Sequence, residues 1–177
     1  IPILMTNDAD PVGAGFVASL AHPGGNITGL STFAPELSGK RLEILKETVP
    51  KLSRLAILGD STEPANAQNL NEVELAAKAF GIKLQYIDVT DPKKIESAFR
   101  AVGKGRAQAI LLLPSAVFTN HRKELAELMI KNRLPSIYNQ TNFVENGGLM
   151  SYGVNRNDLS RRAATYVDKI LKGRTPA

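Results

Sequence analysis

Gly13-Ala14-Gly15-Phe16-Val17-Ala18 has the pattern G-x-G-x-x-A, which directly after a strand can cradle the pyrophosphate of a dinucleotide. That chemistry needs the first glycine to turn the chain straight off the strand, so that the phosphates meet the N–H groups of the next helix. Here the apolar run Ile1–Met5 stops seven residues short of Gly13, and Asp10 and Pro11 stand between. Aspartate caps helix starts and proline suits the first helical position. The spacing therefore predicts a helix from Pro11, with both glycines inside it to allow close helix packing. An acidic residue about 20 positions on, needed for a ribose, is missing after the apolar stretch Ile27–Ser31. A Rossmann-like cofactor enzyme using Gly13 and Gly15 is the alternative reading, and no cofactor is expected under the main one.

Other polar stretches suggest binding more than catalysis. In DSTEPAN, residues 60–66, a hydroxyl pair precedes a helix start, where N–H groups and the helix dipole attract a carboxylate or phosphate. Ser61 and Thr62 could donate to that anion, and Asn66 could reach back from the first turn; a plain helix cap is the competing explanation. NDAD, residues 7–10, lacks the glycine and closing glutamate of a calcium loop, so Asp10 is expected to cap and Asp8 to line a loop, with no metal. His22 lies in the turn HPGGN and His121 at the helix start NHRKE. Neither stands at the carboxyl end of an expected strand, and no G-x-S-x-G elbow is present. Both are expected on the surface, and no catalytic residue is assigned.

The 177 residues suffice for one large or two small domains. No apolar run approaches the ~20 residues of a membrane-spanning helix. The net charge of +5 is dispersed in pairs (Lys40-Arg41, Lys93-Lys94, Arg122-Lys123, Arg161-Arg162). These read as solvated helix faces, not as the basic, aromatic-laced patch of a nucleic-acid binder. The absence of cysteine removes disulfides, thiolate nucleophiles and zinc–cysteine sites together.

The elements that must position these residues alternate. Strands are expected at 1–5, 27–31, 54–59, 82–89, 109–113, 135–139 and 149–152. Helices are expected from Pro11, from Pro35 (Leu42, Leu45, Val49), over 64–80 (Leu70, Val73, Ala77, Phe80, ended by Gly81), and from Pro92 (Ile95, Phe99, Val102). Further helices are expected over 120–131, over 142–146, and from a cap at Asn155 (Leu159, Ala163, Tyr166, Val167, Ile170). Alternation of this kind builds parallel sheets with helices on both faces. Residues 36–152 supply five strands of a doubly wound unit. We read a complete flavodoxin-like lobe over 36–148, and parts of another lobe at 1–33 and 149–177. Ligands of open α/β sheets sit at the carboxyl ends of the strands. That rule selects Thr6, Asn7, Asp8 and Thr32; Ser61, Thr62, Glu63 and Asn66; Ser115; and Tyr138, Asn139 and Tyr152.

Three long stretches, NDADPVGAGFVASLAHPGGNITGLS, PELSGKRLEILKETVPKLSRLAIL and FVENGGLMSYGVNRNDLSRRAATYVDKILKG, resemble the ABC transporter substrate-binding protein family, which includes proteins for aromatic amino acids. The resemblance covers essentially the whole chain. It implies a periplasmic binding protein-like type I α/β fold: doubly wound parallel sheets in two lobes with a solute in the cleft between them, one lobe complete here. It also implies delivery of a small-molecule solute to a membrane permease, and location in the periplasm or on an extracytoplasmic lipoprotein. Full members look longer at both ends, so the chain reads as a fragment. Solute contacts are expected from residues 6–10 and 61–66 together. Relatives that take amino acids often carry Asp-Asn in the loop after AILLL. Here it reads Pro114-Ser115-Ala116, which leaves an aromatic or aliphatic carboxylate open as the solute.

Overall fold

A computed structural model of the chain describes residues 1–8, 10–32 and 34–176, with only the backbone of Asn7 and Ala34. The chain divides into two compact units, Pro35–Gly153 and a smaller one made of Ile1–Ala34 with Val154–Ala177. Residues 149–153, grouped by the sequence reading with the last helix, belong to the larger unit.

The larger unit carries a five-stranded sheet. Its elements are α1 (Ala34–Thr48), β3 (Arg54–Gly59), α2 (Asn66–Phe80), β4 (Lys83–Asp88), α3 (Ile95–Lys104) and β5 (Ala109–Leu112). After these come α4 (Ala116–Asn120), α5 (Arg122–Lys131), β6 (Ser136–Tyr138), α6 (Thr141–Val144) and β7 (Met150–Ser151). The strand order is β4-β3-β5-β6-β7 and every pairing is parallel. This is the flavodoxin-like order the alternation anticipates. A parallel sheet is covered on both faces, so its strands are apolar throughout. Leu55, Ile57, Leu111 and Ile137 pack with Leu42, Leu45, Val73 and Ala77 of α1 and α2 on one face. Ala56, Leu58, Ile110 and Leu112 pack with Phe99, Val102, Leu125 and Met129 of α3 and α5 on the other. Two expected core positions are exposed: Phe80 at 42% and Val167 at 44%. Phe80 is the last residue of its helix, and Val167 lies off the stripe made by Leu159 and Ala163.

In the smaller unit, β1 (Ile3–Asp8) and β2 (Ile27–Ser31) pair in parallel, with a register irregularity between Met5 and Asp8. One face packs Leu4 and Leu30 against Leu159, Ala163 and Tyr166, the last three on α7 (Arg156–Leu171). Asn155 caps α7 by accepting from the Asp158 N–H at 3.1 Å, as its sequence position suggests.

The helix expected from Pro11 is a single turn. Asp10 caps it as anticipated, its Oδ1 accepting from the Gly13 N–H at 2.9 Å. Ala14 N–H donates to the Asp10 carbonyl, and then Gly15 N–H bonds Val12 O and Phe16 N–H bonds Pro11 O. That pair of closing bonds ends a helix with a left-handed residue, here Gly15 at φ +74°. The glycines therefore stop a helix; they do not pack one against a neighbour.

The same closure ends α2 at Gly81, φ 67°, and α5 at Arg133, φ 53°. A side chain in this conformation costs about 1–2 kcal/mol. Nothing lies within 4 Å of a Cβ built on Gly81, and Arg133 is exposed. Gly81→Ala is therefore expected to lower the free energy of unfolding by about 1 kcal/mol. Arg133→Gly is expected to raise it by up to about 1 kcal/mol, the strain relieved exceeding the added unfolded-chain entropy. Urea unfolding of both variants checks the opposite signs.

Candidate functional site

The connections from β3 and β5 leave the sheet toward opposite faces, which makes the β3/β5 boundary the switch point where open α/β sheets take ligands. Two loops flank it, one over residues 60–65 and one over residues 113–115, and hydrogen bonds tie them together. Asp60, the first residue after β3, is 2% exposed. Its Oδ1 accepts from the Thr62 N–H at 3.0 Å and the Thr62 hydroxyl at 2.6 Å. Its Oδ2 accepts from the Ser115 hydroxyl at 2.9 Å. Ser115 Oγ in turn accepts from the Val117 N–H at 3.0 Å and so caps α4. Glu63 Oε1 accepts from the Ala116 N–H at 2.9 Å. Burial pushes the Asp60 carboxyl up, but the bonds from Thr62 and Ser115 outweigh it and hold the pKa below the usual value.

On the other side of β3, Ser61 donates through its N–H and hydroxyl to the two Asp88 oxygens, at 2.9 and 2.8 Å. Asn66 accepts from the Asp60 N–H at 3.2 Å and donates to the Tyr86 hydroxyl at 3.1 Å. Burial raises the Tyr86 pKa, aided by the acids Asp88 and Asp60 and opposed by the bond from Asn66. The phenol stays a neutral donor. These contacts differ from the donor role expected of Ser61 and Thr62. Both hydroxyl hydrogens are committed to carboxylates, so neither is offered to an anion. With Asp60 and Glu63 on the loop after β3 and Asp88 at the end of β4, this end of the sheet is rich in carboxylates. Residues 114–116 carry no acid, whereas the neighbouring elements do, a grouping that adjacency of β4, β3 and β5 creates and that linear spacing does not reveal.

The remaining candidates separate. Tyr138 is fully buried, stacked on Phe143 at 4.5 Å, with its phenol oxygen bonded by Ser136; it is a core residue and offers a solute nothing. Asn139 is half-buried and Tyr152 is 40% exposed. Thr6 is exposed; Asp8 Oδ1 accepts from the Asp10 N–H; Thr32 is buried and donates twice to the Asp8 carbonyl. Ala9, Phe33 and the Asn7 side chain lie outside the described residues. His22 is exposed in its turn, and His121 Nδ1 lies 3.1 Å from Glu124 Oε2 on the surface. The dinucleotide alternative loses support, because among the described residues only the single turn closed at Gly15 stands between β1 and β2, with Gly13 inside it and not ahead of it. Among the described residues no group of three His, Asp or Glu is placed to hold a metal ion.

Arg41 is the residue that sequence reading missed. Lys40 is solvated and pairs with Glu43, as expected of a surface pair, but Arg41 is 2% exposed. Its guanidinium donates to the Tyr152 carbonyl at 2.7 Å and to Ser38 Oγ at 2.9 Å. Desolvation lowers its pKa to about 10, so it stays charged at neutral pH. Its spacing from Ser38, Leu42 and Leu45 (three, one and four residues) places it on the packed face of α1, a signal present in the sequence.

The depressed Asp60 pKa makes a signed prediction. A carboxyl whose folded pKa lies below its unfolded one stabilises fully above the unfolded value, and that stabilisation is lost as pH falls through the folded value. Asp60→Asn is expected to cost roughly 1.5–3 kcal/mol at pH 7, the range for hydrogen bonds to a charged group. That cost should shrink as pH falls below 3.8. Urea titrations of both proteins between pH 7 and pH 3 test it; a difference independent of pH would remove the carboxylate from this role.

The model of the ABC transporter substrate binding protein family matches residues 1–177. A tyrosine-binding protein of Clostridioides difficile is 23% identical over 175 residues, which make up 99% of this chain and 50% of that protein. Among solved structures, a conserved domain protein from Vibrio cholerae matches with TM-score 0.86 and 30% identity over 99% of this chain and 58% of that one. A Streptococcus pneumonia ABC domain in complex with L-Trp matches with TM-score 0.86 and 26% identity over 99% and 59%. The chain spans about half the length of the curated relative it matches. Parallel doubly wound topology and a family match along its whole length agree: this chain belongs to the ABC transporter substrate binding protein family.

Proposed function

We propose that the protein is the solute-binding component of an ABC-type uptake transporter, and that its solute is a small molecule bearing an ammonium group, of the amino-acid kind. The family match along residues 1–177 carries this reading. The carboxylates of Asp60, Glu63 and Asp88 favour an ammonium at this end of the larger unit, and the relatives described as tyrosine-binding and as bound to L-Trp support an amino acid. A permease as partner, and a periplasmic or lipid-anchored extracytoplasmic location, accompany the reading. Binding then acts by shifting the protein toward the conformation with the higher affinity; no bond is made or broken.

Thermal unfolding of the intact protein with L-tryptophan, L-tyrosine and indole-3-propionate tests the reading. The two amino acids should stabilise it, by about 2.7 kcal/mol at a hundredfold excess over Kd. Indole-3-propionate, which lacks the ammonium, should not. Glu63→Gln should weaken binding of the stabilising amino acid about tenfold, or 1.4 kcal/mol, by calorimetry. Stabilisation by indole-3-propionate equal to that by L-tryptophan would remove the ammonium from the argument, and no shift with either amino acid would overturn the amino-acid assignment.

A further inference from the structure

A charged guanidinium that is 2% exposed, with no carboxylate in ion-pair range among the described residues, is costly to bury. What the Arg41 charge does instead is organise neutral groups. One arm runs from Nε to the Tyr152 carbonyl, one residue before Gly153, where the chain leaves the larger unit. The other runs from Nη1 to Ser38 Oγ; Ser38 donates to Asn69 Oδ1 at 2.6 Å, and Asn69 Nδ2 donates to the Ala65 carbonyl at 2.6 Å. Every hydrogen in that arm points away from the cation, so each bond polarises the next. Asn69 is fully buried and Ser38 likewise. The arm ends at Ala65, the last residue of the loop that holds Asp60, Ser61, Thr62 and Glu63.

We propose that Arg41 is a positioning residue for solute binding: through Ser38 and Asn69 it fixes the end of the loop over residues 60–65, and through the Tyr152 carbonyl it fixes the end of β7. Its functional consequence rests on the solute-binding reading above, whereas the two-armed restraint stands on its own. A lysine cannot replace it, because a point charge lacks the fixed fork that reaches two acceptors in different directions.

Hydrogen exchange of the intact protein without solute separates the arms and leaves the functional reading untouched. Arg41→Met is expected to speed exchange at residues 60–67 and at 150–155 at least tenfold, with β3 and β5 changed less than twofold. Ser38→Ala cuts one arm and should speed exchange at 60–67 only. Arg41→Lys should recover protection in no more than one of the two segments. Uniform acceleration across the larger unit in Arg41→Met, or full protection in Arg41→Lys, would overturn the proposal. Should Arg41→Met fail to fold, Ser38→Ala decides: acceleration at both segments or at neither overturns it.

Discussion

A carboxylate removed from water must find donors for its lone pairs, and at Asp60 this demand shapes the end of the sheet. Its oxygens draw in the Thr62 N–H and hydroxyl from their own loop and the Ser115 hydroxyl from the loop after β5. Because Ser115 also caps α4, the start of that helix and the loop after β3 are fixed by one buried charge. Glu63 repeats the tie from the opposite direction, through the Ala116 N–H. The switch point of the sheet is thereby ordered by the chain's own side chains, with no added group needed. The same economy shows at Ser61, already held by Asp88.

How much of this the sequence discloses depends on whether a feature is local. The apolar runs 54–59 and 109–113 announce strands buried on both faces, and the alternation with helices announces a parallel sheet; both follow from periodicity within a few residues. Gly81 and Asn155 are legible for the same reason, since each acts on its own helix end. The turn at Pro11 misleads because the start signals Asp10 and Pro11 are real, while Gly15 closes the helix only four residues later. Ser61 looks like a free donor until β4 brings Asp88 alongside, and Thr62 until it turns back onto Asp60. Tyr138 looks like the edge of a cleft because it ends its strand, yet its side belongs with Ile110 and Leu112. Arg41 hides because its neighbour Lys40 is an ordinary solvated lysine. At Ser61 and Tyr138 the missing information is which distant element lies next door; at Pro11, Thr62 and Arg41 a local signal is present and a competing one masks it.

The two faces of the large sheet divide labour. The face packed by α1 and α2 contains the buried polar relay from Arg41 through Ser38 to Asn69; the face packed by α3 and α5 is largely apolar and carries two isolated polar contacts, Ser136 with Tyr138 and Gln85 with the Ala101 carbonyl. A polar relay is directional and admits one arrangement, whereas an apolar layer tolerates repacking at nearly constant volume. Uniqueness of the arrangement around the candidate loops thus comes from one side of the sheet, and bulk stability from both.

The smaller unit is assembled from chain ends that synthesis separates. Leu4 and Leu30 are made first, but Leu159 and Ala163, which cover them, follow only after residues 35–153. At 5–20 residues per second that interval lasts roughly ten seconds, during which the face of β1 and β2 that carries Leu4 and Leu30 lacks the cover of α7. The inserted unit meanwhile has every strand of its own sheet. Residues 35–153 therefore complete their own core while the Leu4–Leu30 face still waits for the helix that covers it.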